Sequence, residues 1–180
     1  AGSTWQEDEE LLVNYINNEA AEDEKFIIAP HNIQQNKILE LQNSIHKKTV
    51  LYSDKKDKNL KDYQVFIIDT IGILTKIYAV ANVAYVGGGL KTGLHNILEP
   101  ATFGIPVVIG NKYDKFKEAL DLVKIGGCIS INNQKEFTAN FVKLKIDKNY
   151  RNLTGTINKK YIQDNLGATK LIMNYINMSI

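Results

Sequence analysis

The chain has 180 residues, 44% of them hydrophobic and 23% charged, long enough to bury a real core as one soluble globular domain. Its 22 basic and 20 acidic residues leave a formal charge of +2, which makes no electrostatic case for nucleic acid, where a clustered basic face is expected. The single cysteine, Cys128, excludes an intrachain disulfide and fits a reducing compartment; no apolar run approaches the roughly 20 residues that cross a bilayer, and no signal-peptide pattern opens the chain.

AGSTW brings turn chemistry before any strand, as expected of a piece cut from something longer. Thr4 with Glu7 fits a capping box, and Glu7 to Glu10 place negative charge at the positive end of the next helix. Leu11, Leu12, Tyr15 and Ile16 then recur at helical spacing, predicting a helix from Gln6 to Glu19. KFIIAPH reads as a buried strand ended by Pro30, and NIQQNKILELQNSIH as a helix with Ile33, Ile38, Leu41 and Ile45 on one face. TVLYS (49–53) is a strand, the lysine-rich 53–62 a solvated loop, and VFIID (65–69) a strand.

Leu74, Ile77, Tyr78 and Ala81 give a helical stripe across Ile71 to Ala81, followed by a strand at VAYVG (83–87). Beyond the glycine cluster a helix starts near Pro100, PVVIG (106–110) is a strand, and Asp114 caps a helix with Phe116, Ala119, Leu120 and Val123 inward. CISI (128–131), with Cys128 as a small apolar filler, is the last strand; residues 135–145 and 150–178 are helical in pattern, with a break around 164–167. Short apolar strands alternating with amphipathic helices predict a doubly wound α/β domain, a parallel sheet of about six strands covered on both faces, with a helical C-terminus.

Ligands in such sheets bind at the carboxyl ends of the strands, near helix N-termini. That rule selects 30–32, 69–72, 87–99 and 110–114, together with 2–5 if the chain begins just after a first strand. Each candidate carries two readings. Gly87, Gly88 and Gly89 either let a phosphate or sugar approach the backbone or make a tight turn. Glu99 before Pro100 either accepts the hydroxyls of a ribose or merely complements a helix dipole. Asn96 is a good helix cap and His95 an ordinary hydrogen-bonding histidine, but three such residues within five positions shift the balance toward a site. Asp69 to Gly72 and Gly2 to Thr4 offer amides and hydroxyls at helix starts, two donor clusters able to share one ligand, and His31 ends a strand facing the same cleft or solvent.

Gly-x-Ser-x-Gly, Cys-x-x-Cys, His-Glu-x-x-His, Walker-type and Gly-x-Gly-x-x-Gly motifs are all absent, which disfavours metal, nucleophile and nicotinamide chemistry. The segments GSTW-x-EDE, APH, IIDTIGILTKIYAVANVAYVGGG, GLHNILEPATFGIPVVIG and KFKEA together resemble the C-terminal domain of 3-deoxy-D-manno-octulosonic acid (Kdo) transferases, GT-B glycosyltransferases of lipopolysaccharide biosynthesis. The resemblance runs from Gly2 to Ala119, and its most specific part is His95-Asn96-x-x-Glu99-Pro100 after the glycine-rich strand end.

The resemblance implies a Rossmann-like half of a GT-B fold, with 1–180 a single nucleotide-sugar-binding domain and the N-terminal acceptor domain absent. It implies that CMP-Kdo is the donor, that a lipid A precursor is the acceptor through the missing domain, and that neither metal nor cofactor is needed. By position, Glu99 would hold the CMP ribose and Gly88, Gly89, His95 and Asn96 would line the phosphate and sugar, while Ser3, Thr4, His31 and the Ile71-Gly72-Ile73 backbone would complete the pocket. Many relatives carry Arg in the segment before His31, Glu at the position of Ile73 and Asn at that of Lys115, so those individual contacts differ here. The catalytic base is expected in the missing domain, so the fragment would bind donor weakly without transferring sugar. The full-length protein would work at the cytoplasmic face of the bacterial inner membrane, with no nucleic-acid partner. Two other readings stand: a GT-B transferase or epimerase using a UDP-sugar, and a non-catalytic nucleotide-binding module.

Overall fold

In the computed structural model, which describes the backbone of residues 1–178 and the side chains of 1–167 and 172–177, the strands form one parallel sheet of seven. They are β1 (Gly2–Thr4), β2 (Phe26–Pro30), β3 (Thr49–Leu51), β4 (Val65–Ile67), β5 (Ala84–Val86), β6 (Val107–Gly110) and β7 (Cys128–Ile131), in the order β3-β4-β2-β1-β5-β6-β7. From β1 the chain passes to β2 beside it, out to β3 at the edge and back to β4 between them, then crosses to the other side of β1 with β5. A crevice therefore opens between the carboxyl ends of β1 and β5, where the winding reverses.

Both faces are buried, as side-chain alternation along a strand requires. Tyr85, Val108 and Ile131 join Leu12, Tyr15, Ile16, Ile28 and Phe137 in one cluster. Their neighbours Val86, Val107, Ile109 and Cys128 join Ile97, Ala101 and Leu122 in the other. Burial pushes the Cys128 thiol up to about 12, so it behaves as a packed apolar group.

The doubly wound architecture is the one expected, with seven strands rather than about six. The additional strand is β1, whose Gly-Ser-Thr has no strand pattern of its own and is extended because it pairs with β2 and β5. Thr4 therefore ends a strand instead of capping a helix. Helix α1 (Gln6–Asn18) starts after Trp5, and it is Asp8 that accepts from the Trp5 amide, at 2.9 Å. The Thr4 hydroxyl, buried, donates to Glu9 Oε1 at 2.9 Å.

Helix α2 (Gln35–Ser44) lies close to expectation, whereas α3 is the single turn Leu74–Tyr78. Helix α4 (Leu98–Thr102) begins two residues before Pro100, which still falls among the first-turn amides that lack helical partners. Helix α5 (Lys117–Ile125) buries Ala119 and Leu122, while Leu120, expected inward, is 46% exposed. Helices α6 (Gln134–Ile146), α7 (Lys148–Asp164) and α8 (Ala168–Met178) follow the helical pattern read for the C-terminus, with the break falling between α7 and α8.

Candidate functional site

Three aromatic rings meet over the crevice. Trp5 leaves β1, His31 leaves β2, and His95 lies in the segment between β5 and α4. Trp5 and His31 stack with centroids 4.4 Å apart, His31 and His95 stack at 4.7 Å, and the Trp5 indole donates to His95 Nε2 at 3.0 Å. An indole N–H only donates, so His95 Nε2 must be unprotonated and its proton assigned to Nδ1. Burial first, then the neighbouring His31, lowers the His95 pKa below its ordinary value, against a smaller upward pull from Asp8. His95 is thus a neutral acceptor at neutral pH, and His31 is exposed on the cluster's outer side.

Beneath the rings lies a carboxylate that the sequence reading treated only as helix-dipole charge. Asp8 is 1% exposed. Its Oδ2 accepts from the amides of Trp5 and Gly88, both at 2.9 Å, and its Oδ1 from the Tyr85 hydroxyl at 2.5 Å. The Gly88 amide is therefore engaged inside the protein, and what Gly88 gives the site is its turn, at φ +88° with the Gly93 amide donating to its carbonyl at 2.9 Å. Gly89 packs on Gly110, where a Cβ on Gly110 would lie 2.3 Å from Gly89 C. Close packing of backbone on backbone accounts for these glycines, so the tight-turn reading holds for their shape.

Ser3 sits at the irregular end of β1 with φ +53°, a left-handed conformation uncommon for a residue with a Cβ and concentrated at functional sites. Its neighbour Thr4 is turned inward, as described. Asn96 accepts from the Leu98 amide at 3.0 Å in a local turn just ahead of α4, whose N-cap is Ile97 rather than the expected Asn96. Glu99, partly exposed in the first turn of α4, lies near enough to Tyr78 to add to the upward shift that burial gives that phenol. Tyr78 in turn abuts Gly2, where a Cβ would meet its hydroxyl at 2.0 Å. The Glu99 charge thus acts on a phenol packed against Gly2 of β1.

The segment after β4 divides in function. The Asp69 carboxylate accepts from the Ser53 amide at 2.9 Å and from the Ser53 hydroxyl, fixing the turn beyond β3. Ile71 and Gly72 are exposed, Gly72 at φ +90°. Among the described residues the amides of Ile71, Gly72 and Ile73 donate to no partner. Of the candidates, the fold thus brings Ser3, His31, His95, the Gly88–Gly89 turn and Glu99 around the crevice and leaves the 71–73 amides open. The Thr4 hydroxyl and the Asn96 side-chain oxygen already have partners within the protein.

A cavity of about 450 Å³ lies at the opposite, amino end of the strands, between Ala1, Phe26, Ile27, Ile77 and Tyr85. Its cations are engaged within the protein: Lys145 pairs with Glu24 at 2.7 Å, and Arg151 donates to the Leu144 and Lys145 carbonyls. The crevice at the carboxyl ends has the open groups, and it is the better candidate site. Among the described residues no group of three or more His, Cys, Asp or Glu side chains is placed to hold a metal ion, and no helix is long and apolar enough to cross a membrane.

No family model matches the sequence. The chain is 32% identical over 144 residues to the 3-deoxy-D-manno-octulosonic acid transferase of Aquifex aeolicus, a match covering 73% of this chain and 38% of the relative. It is 26% identical over 181 residues to the enzyme of that name from Rickettsia conorii, covering 98% of this chain and 38% of the relative. The chain thus spans well under half the length of these curated relatives. Among solved structures it resembles the C-terminal CMP-Kdo binding domain of WaaA from Acinetobacter baumannii, with a TM-score of 0.78 and 23% identity over 90% of this chain and 86% of that one. The expected Rossmann-like half of a GT-B fold is borne out by that likeness.

Proposed function

We propose that this chain, which resembles Kdo transferases in sequence and the C-terminal CMP-Kdo binding domain of WaaA in fold, is the donor-binding domain of such a glycosyltransferase and takes CMP-Kdo. The observation that carries the proposal is the convergence at the β1–β5 crevice of the Trp5-His31-His95 cluster with Glu99 on the adjoining first turn of α4. Glu99 holds the ribose hydroxyls of CMP. The unpartnered amides of Ile71, Gly72 and Ile73, with the Gly89 turn and the Ser3 hydroxyl, receive the phosphate and the Kdo carboxylate. Charge developing on the departing CMP phosphate is met by fixed backbone donors, which need no reorganisation as the bond breaks.

On this reading no metal or cofactor takes part. The general base belongs to an acceptor-binding domain of the full-length enzyme, which carries Kdo to a lipid A precursor in lipopolysaccharide synthesis at the cytoplasmic face of the inner membrane. This chain alone binds donor without transferring sugar. Calorimetric titration of the chain with CMP and with UDP tests the assignment: preference for CMP is expected, and preference for UDP would move the chain to the UDP-sugar GT-B enzymes.

A further inference from the structure

Asp8 is a buried carboxylate held by three neutral donors. Burying a charge is costly unless hydrogen bonds replace its water, and here they come from both sides of the winding reversal. The Trp5 amide opens the β1–α1 connection, and the Gly88 amide lies two residues beyond β5. Both bind Oδ2, while Oδ1 is anchored by Tyr85, which is fixed in the core at 1% exposure. The room for this carboxylate is itself specified: a Cβ on Gly87 would come within 2.8 Å of Asp8 Oδ2. An apolar residue at position 8 would leave two buried backbone donors unmet.

We propose that Asp8 is a positioning residue for the donor site, its carboxylate clasping the Trp5 and Gly88 loops together so that Trp5 and His95 meet across the crevice. The inference rests on the donor-site reading for its consequence in binding, but the clasp can be measured without ligand. Trp5 is the only tryptophan of the chain, and its indole bonds directly to His95. A protonated imidazole beside an indole quenches its emission, so Trp5 fluorescence reports His95 when it is followed in a His31→Gln background, which removes the other imidazole stacked on the indole at 4.4 Å. The charged or titratable groups acting on His95 are His31, stacked on it, and Asp8 below.

The test compares the wild-type chain with Asp8→Ala and Asp8→Asn, each also carried into the His31→Gln background for the fluorescence. In Asp8→Asn the amide oxygen can still take both backbone donors, while the Tyr85 hydroxyl turns to accept from the new NH2 group. Asp8→Ala is expected to lose the pH-dependent quenching of Trp5 and about tenfold in CMP affinity, as displaced binding loops do; Asp8→Asn is expected to restore both. A folded Asp8→Ala with wild-type quenching and CMP affinity overturns the proposal, as does an Asp8→Asn as damaged as Asp8→Ala. If Asp8→Ala does not fold, the decision falls to Asp8→Asn: quenching and CMP affinity close to those of the parent are expected, and lost quenching overturns the clasp. Failure of the wild type to bind CMP would remove the donor-site reading, while the fluorescence titration would still decide the role of Asp8.

Discussion

Single residues at the crevice divide by whether their polar groups are free. Glu99 is partly exposed in the first turn of a helix, so Glu99→Ala should leave the melting temperature near its wild-type value. It should lower CMP affinity about tenfold or more, the usual loss for a charged hydrogen-bond partner, as read by calorimetry. His95 carries a pH prediction. Folding lowers its pKa below the unfolded 6.5, so the neutral form is favoured by the fold. Its stabilisation is complete above the unfolded pKa and is lost as pH falls toward the folded one. The buried Ala1 amine, lowered to about 5, adds a slope of the same sign, so the measurement is a difference. Between about pH 7.5 and about pH 5, the wild type should lose more thermal stability than His95→Gln, which keeps an acceptor for Trp5 but cannot titrate. Equal losses would show that His95 contributes nothing to that slope.

At the scale of elements, the sequence made six strands legible because apolar runs bounded by turn residues are dictated by burial on both faces, as in β5 and β6. It could not show β1, whose three small residues are a strand only through their neighbours. Leu120 misled because α5 turns Ala119 and Leu122, three residues apart on one face, into the core and leaves Leu120 on the outer flank of that stripe. Histidine, glycine and glutamate in one short segment marked the site, but Asp8 stayed hidden among four consecutive acidic residues whose common explanation was the helix dipole. Nothing local separates the one carboxylate that turns inward. The glycines have element-level consequences as well. Gly110→Ala would drive a Cβ against the Gly89 backbone, which has no room to give, and should cost about 2 to 3 kcal/mol or prevent folding. Gly93→Ala meets no atom within 4 Å and carries only the strain of φ +117°, about 1 to 2 kcal/mol. Chemical denaturation of the two variants checks the order, and a Gly93→Ala less stable than Gly110→Ala would contradict it.

For the whole molecule, the order β3-β4-β2-β1-β5-β6-β7 does the placing. Putting β1 in the middle of the sheet brings Trp5, His31 and the Gly88–Glu99 segment, distant in sequence, to one end of three neighbouring strands. The same topology leaves a cavity at the other end, between Ala1, Ile27 and Tyr85, so the two ends make opposed predictions. The direct measurement is a titration of the 15N-labelled chain with CMP, followed through backbone amide shifts. Shifts should concentrate at 71–73, 89–99, Trp5 and His31, and Glu99→Ala should need about tenfold or more CMP to produce them. Shifts concentrated instead around Ile27, Ile77 and Tyr85, unaffected by Glu99→Ala, would contradict the donor-site reading.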